Sequence, residues 1–140
     1  EMTNPALNLS TGLITTGFPL ALRGYDAVSY TQGSAPVAGS AKFAVVEGEA
    51  TYYFTSQANA DLFSANPRKY LPSFGGFCAY GVSVGKKFDG DPQMFAIVDG
   101  RLHLNLNADI QAAFLADVGG TIAKADKAWT DIAEKDATTL

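Results

Sequence analysis

Apolar and polar residues alternate over Phe95–Val98 and again over Leu102–Leu106, with Asp99-Gly100 between them. That pair favours a tight type I′ turn, so the pattern predicts a hairpin. Strand periodicity then puts Phe95, Ile97, Leu102, Leu104 and Leu106 on one face. Ala96, Val98, Arg101, His103 and Asn105 fall on the other, less apolar face. A second hairpin is expected from the β-favouring runs Phe43–Val46 and Ala50–Phe54 around Glu47-Gly48-Glu49. Upstream, Gly24–Tyr30 reads as a turn leading into a short strand, and residues 32–40 as a turn-rich connection.

Helical spacing takes over between and after these runs. Thr55 or Ser56 can cap a helix starting at Gln57, with Ala58, Leu62 and Ala65 on one face and Phe63 beside it. Asn66-Pro67 ends it, because a residue preceding proline leaves the α region. Pro67 suits the first position of a second short helix through Tyr70. Two C-terminal helices follow. One starts after an Asn107 cap, with Ile110, Ala113 and Phe114 inward. The other starts after Gly119-Gly120, with Thr121 as cap and a stripe of Ile122, Ala125, Trp129 and Ile132. Phe74–Tyr80 (Phe-Gly-Gly-Phe-Cys-Ala-Tyr) is unusual, since adjacent glycines among aromatics suggest positive φ or close backbone approach. Residues 81–91 read as a loop.

These elements predict an α+β fold, with a small, mainly antiparallel sheet, short helices and two C-terminal helices. One domain is expected over residues 21–133. Residues 1–20 form an extended lead-in pinned by Leu7, Leu9, Leu13, Ile14 and Phe18, and residues 134–140 form a tail. A chain of 140 residues suffices for one well-buried core.

The formal net charge of −4 is spread without long runs of one sign. Phosphate binding needs a clustered basic face, so nucleic acid is not an expected partner. The basic pairs Lys86-Lys87 and Arg68-Lys69 read as solvated charges. No stretch approaches the ~18–20 apolar residues of a membrane span. Glu1-Met2-Thr3 is not the start of a leader peptide, so a leader is expected either never to have been there or to have been removed. Monomer and homodimer both fit the composition.

Catalytic signatures are missing from the sequence: it has no Gly-x-Ser-x-Gly elbow, no phosphate loop and no complete calcium loop. The lone cysteine and lone histidine, Cys78 and His103, remain. With Met94 as a third donor they are the soft and borderline ligands that Cu(I) prefers. A thiolate nucleophile assisted by His103 is a second reading. A third is a small buried hydrophobe, the usual fate of a lone cysteine among aromatics.

Several blocks, in order, resemble the YHS-domain family: Gly24-Tyr25-Asp26-Ala27-Val28-Ser29-Tyr30, Tyr52-Tyr53-Phe54-Thr55-Ser56, Asn66-Pro67-Arg68-Lys69-Tyr70-Leu71-Pro72 and Gly75-Gly76-Phe77-Cys78-Ala79-Tyr80. Asp91-Pro92, residues 98–105 and Ala125-Asp126-Lys127-Ala128-Trp129 continue the series, so the likeness runs from Gly24 to Trp129. The chain looks most like the family's stand-alone exported branch. That resemblance implies a periplasmic or secreted location after loss of a signal peptide. It also implies a role in trafficking or resisting a metal, copper first among them. Metal-binding members use cysteines at positions corresponding here to Arg23 and Thr55, neither of which can be a thiolate ligand. Cys78 matches the exported branch's own pattern, and His103 stands where that branch has a tyrosine. The alternative implied by the same resemblance is a non-catalytic structural or interaction domain with a packing cysteine and no metal.

Overall fold

A computed structural model describes residues 4–10, 14 and 16–140, which form an α+β protein. Leu13, expected to help pin the lead-in, lies outside the described residues. The chain divides into two compact units. Of the described residues, one unit holds those from 9 to 71 and the other residues 4–8 and 72–140.

The first unit is built on the hairpin of β1 (Ser40–Glu47) and β2 (Ala50–Phe54), paired antiparallel with Glu47 opposite Ala50. Gly48 and Glu49 both have positive φ, the backbone that a two-residue I′-like connection requires. Helix α1 (Gln57–Ala65) is capped by Ser56, whose side chain accepts from Asn59 N. Pro67 then opens α2 (Pro67–Tyr70) as expected. The Phe63 ring packs 4.9 Å from Tyr52 and 5.0 Å from Phe54, centroid to centroid.

Two of the expectations that fail in this unit are explained by one residue. Gly24–Tyr30 holds no strand; it is occupied by 3-10 turns at Leu22–Gly24 and Ser29–Thr31. The inward face of α1 carries Asn59, Ala60 and Phe63, while Ala58, Leu62 and Ala65 are exposed. The cause is Asp26, fully buried. Its Oδ1 accepts from Val28 N at 2.8 Å and Ser29 N at 3.1 Å, which folds the segment back on itself. Its Oδ2 accepts from Thr55 N and Thr55 Oγ1, both at 2.9 Å, and from Asn59 Nδ2 at 2.8 Å, which turns Asn59 inward. Phe18, expected as an anchor, is exposed.

The second unit contains β3 (Asp91–Val98) and β4 (Arg101–Asn105), joined through Asp99 and Gly100, both at positive φ. Facing pairs are Phe95–Leu104, Ala96–His103, Ile97–Leu102 and Val98–Arg101, which reproduces the two expected faces. Both faces of β4 are buried, Leu102 and Leu104 on one and His103 and Asn105 on the other. Ala96 and Val98 pack against a cluster of Phe74, Phe77, Ala79, Val82, Phe114, Ala125 and Ile132.

Helix α3 (Ala79–Ser83) replaces the first part of the expected 81–91 loop, because Cys78 supplies its cap. Helix α4 (Ala108–Ala116) begins after Asn107, whose side chain accepts from Ile110 N. Helix α5 (Val118–Ile132) starts three residues earlier than Thr121, because Asp117 is the cap and accepts from Gly120 N. A carboxylate there satisfies the first turn and suits the positive helix end, so the two glycines lie inside the helix. A Cβ on Gly120 would run into that carboxylate. Lys87, read as a solvated charge, is buried.

Candidate functional site

Cys78 lies where the glycine turn of residues 73–76 passes into α3. Phe74, Gly75 and Gly76 all hold positive φ there. The backbone of Cys78 is fixed by a bond from its N–H to Phe88 O at 2.9 Å and by a parallel bridge to Leu104. The side chain thus points inward and is fully buried.

The sulfur has two polar partners. Gly81 N donates to Sγ at 3.4 Å, the capping bond of α3, and Sγ lies 3.5 Å from Asn105 Oδ1. That oxygen also accepts from Tyr80 N at 3.2 Å, which fixes the orientation of the Asn105 amide. The thiol therefore faces an acceptor and must donate its own proton. Beyond Asn105 the relay continues through Nδ2 to Gln111 Oε1, and from Gln111 Nε2 to Phe95 O at 2.7 Å. One thiol thereby belongs to a polar chain, buried at Cys78 and Asn105 and half-buried at Gln111, that joins α3, β4, α4 and β3. Burial pushes the Cys78 pKa up, against the opposing effect of the Gly81, Leu106 and Tyr80 backbone groups. At neutral pH the group is a thiol, which is a poor nucleophile and a poor metal ligand.

His103 sits in the middle of β4 and is 1% exposed. Its ring packs between Phe74 and Phe114, with centroids 6.0 and 5.9 Å away. Nδ1 lies 3.1 Å from Arg101 O and donates to it, so in the neutral ring Nε2 is left as an acceptor. Nε2 is buried and has no hydrogen-bond partner among the described residues. Desolvation, then the nearby Arg101 charge, hold the imidazole pKa below its ordinary value.

Met94 is half-buried in the stretch of β3 between Asp91 and Phe95, where the ladder register shifts. The three predicted donors thus belong to different surroundings. Cys78 is tied to Asn105 and Gly81, His103 is set among aromatic rings, and Met94 lies in the irregular part of β3. Among the described residues no three His, Cys, Asp or Glu side chains gather as a metal-holding group. The Cys78 environment fits a protonated thiol better than a copper thiolate, since an anion there would face Asn105 Oδ1.

The site residues that sequence reasoning missed are polar, Asn105 buried and Gln111 half-buried. Asn105 and Gln111 carry the relay, and neither stands in a recognisable motif. The one available signal was Asn105 on the face of β4 shared with His103. In the first unit, the Thr55 hydroxyl donates to Asp26 Oδ2. No family model, curated protein or solved structure matches this chain.

Proposed function

We propose that this chain is a YHS-like, non-catalytic structural or interaction domain in which Cys78 is a packing and capping residue. The observation that carries the reading is the state of the sulfur. It is fully buried, accepts from Gly81 N and donates to Asn105 Oδ1, so its hydrogen-bonding capacity is used inside the fold. The Asp26 hub supports the same reading, because Thr55 is committed to a carboxylate rather than to any ligand. An enzyme built on Cys78 would need a depressed thiol pKa, and burial acts in the opposite direction. Location in the periplasm or outside the cell rests on the likeness to the exported branch.

A second reading, a copper site for trafficking or resistance, is favoured by one observation. The Nε2 of His103 is buried and has no hydrogen-bond partner among the described residues, the kind of atom a metal ion could engage. Titrating reduced protein with Cu(I) against a competing chelator, beside Cys78→Ala and His103→Phe, separates the two. The packing role predicts that none of the three proteins competes for the metal. Stoichiometric binding by wild type that is lost in both variants would replace it with the copper reading.

A further inference from the structure

Lys87 is buried although nothing in its sequence surroundings predicts it. Its Nζ donates to Pro5 O at 2.6 Å, Ala133 O at 2.8 Å and Lys135 O at 2.6 Å. The same ammonium stands 5.2 Å from the ring centres of both Phe77 and Trp129. Three donors therefore meet three carbonyls, and two aromatic faces enclose the charge. Two of the carbonyls belong to the chain leaving the C-terminal end of α5, where the helix dipole favours a cation. The third belongs to residues 4–8, remote in sequence.

Residues 4–8 are also held through Asn8. Asn8 N donates to Gly75 O at 2.9 Å, and Asn8 Nδ2 donates to Gly76 O at 3.2 Å and Asp89 Oδ1 at 2.8 Å. The turn after α5 rests on Lys135 N to Ile132 O at 2.9 Å and on the Asp136 cap. The Asn8 bonds hold residues 4–8 and the Asp136 cap holds the turn, whereas the ammonium bonds to both segments at once.

We infer that the carbonyl and aromatic cage is a primary-ammonium site which the chain fills with its own Lys87, and that its occupation latches residues 4–8 and 133–136 together so that they open as one. Removing the ammonium leaves three carbonyls and two ring faces without their cation at once, so both ends loosen in the same event. Desolvation lowers the Lys87 pKa while Glu134 and Asp136 act to raise it, as a caged cation beside two carboxylates should behave. The site's ligand class follows from its shape: a primary alkylammonium, with three protons for three carbonyls.

The test is amide hydrogen exchange on the whole protein with Lys87→Ala. Exchange at Asn8 and Lys135 should rise together, by ~10-fold or more, while the β3–β4 amides stay protected. Propylammonium chloride, which restores the atoms that the substitution removes, should slow both amides again; sodium chloride at equal ionic strength should not. Loosening at only one end, or propylammonium acting no better than sodium, overturns the inference. Should Lys87→Ala fail to fold, wild type decides: equal denaturant dependence of exchange at Asn8 and Lys135 supports the latch, and unequal dependence overturns it.

Discussion

Asn105 dictates the protonation state of Cys78. Its side-chain oxygen is fixed by Tyr80 N at 3.2 Å and faces the sulfur at 3.5 Å, so the cysteine must carry the proton between them. Replacing Asn105 by Ala strips an acceptor from the thiol and from Tyr80 N, and a donor from Gln111. Each buried group left unpaired costs about 1–3 kcal/mol. Asn105→Ala should lower unfolding free energy by about 2–4 kcal/mol in urea denaturation. A loss below about 0.5 kcal/mol would mean that the relay contributes nothing.

Cys78→Ala should be milder. It removes one buried sulfur and the cap on Gly81 N while leaving Asn105 its bond from Tyr80. A loss of about 1–2 kcal/mol is expected from the same denaturation experiment. Cys78→Ser keeps a donor and an acceptor, yet its shorter bond weakens both contacts, so it should fall between wild type and Ala.

His103 gives the fold a pH dependence whose sign is fixed. Its folded pKa lies below the ordinary 6.5, so as pH falls the unfolded chain takes up the proton first. Stability from this residue is therefore complete above pH 6.5 and is lost as pH falls from there toward the folded pKa. It is the chain's only histidine, which makes the assignment clean. Unfolding midpoints measured between about pH 7.5 and 5.5 should decline in wild type and stay flatter in His103→Phe, which keeps an aromatic ring between Phe74 and Phe114. Parallel declines in the two proteins would count against the assignment.

Asp26 is the hub of the first unit, with five donors converging on a fully buried carboxylate. Asp26→Ala leaves these donors unpaired and should cost about 3–5 kcal/mol. Asp26→Asn keeps one acceptor oxygen but directs an NH2 at other donors, so it should cost less than Ala and still be clearly destabilising. Exchange at the Val28 and Thr55 amides reads the loss directly.

Local chemistry made much of the architecture legible in the sequence. Asp99-Gly100 and Glu47-Gly48-Glu49 are turn signals whose meaning does not depend on distant contacts, and both hairpins followed. Ser56, Asn107 and Pro67 marked helix starts for the same reason. What escaped were polar residues satisfied by partners far along the chain. Asn59 faces inward for Asp26, Lys87 is buried for carbonyls at residues 5, 133 and 135, and Asn105 serves Cys78 from 27 residues away. Periodicity treats such residues as solvent-facing. The start of α5 was misplaced for a local reason: Asp117 outcompeted Thr121 as cap, and Gly119-Gly120 were tolerated in the first turn. At the candidate site, the residue types of Cys78 and His103 were readable, whereas their partners depended on long-range packing.

The most direct test of the packing role is the alkylation rate of Cys78 by iodoacetamide, followed by mass spectrometry in native buffer and in urea. A buried thiol that donates to Asn105 predicts native labelling slower than labelling of the unfolded chain by ~10³-fold or more, limited by opening of the fold. Native labelling at the rate of an exposed thiolate would contradict that account, and would return Cys78 to the list of reactive or metal-binding residues.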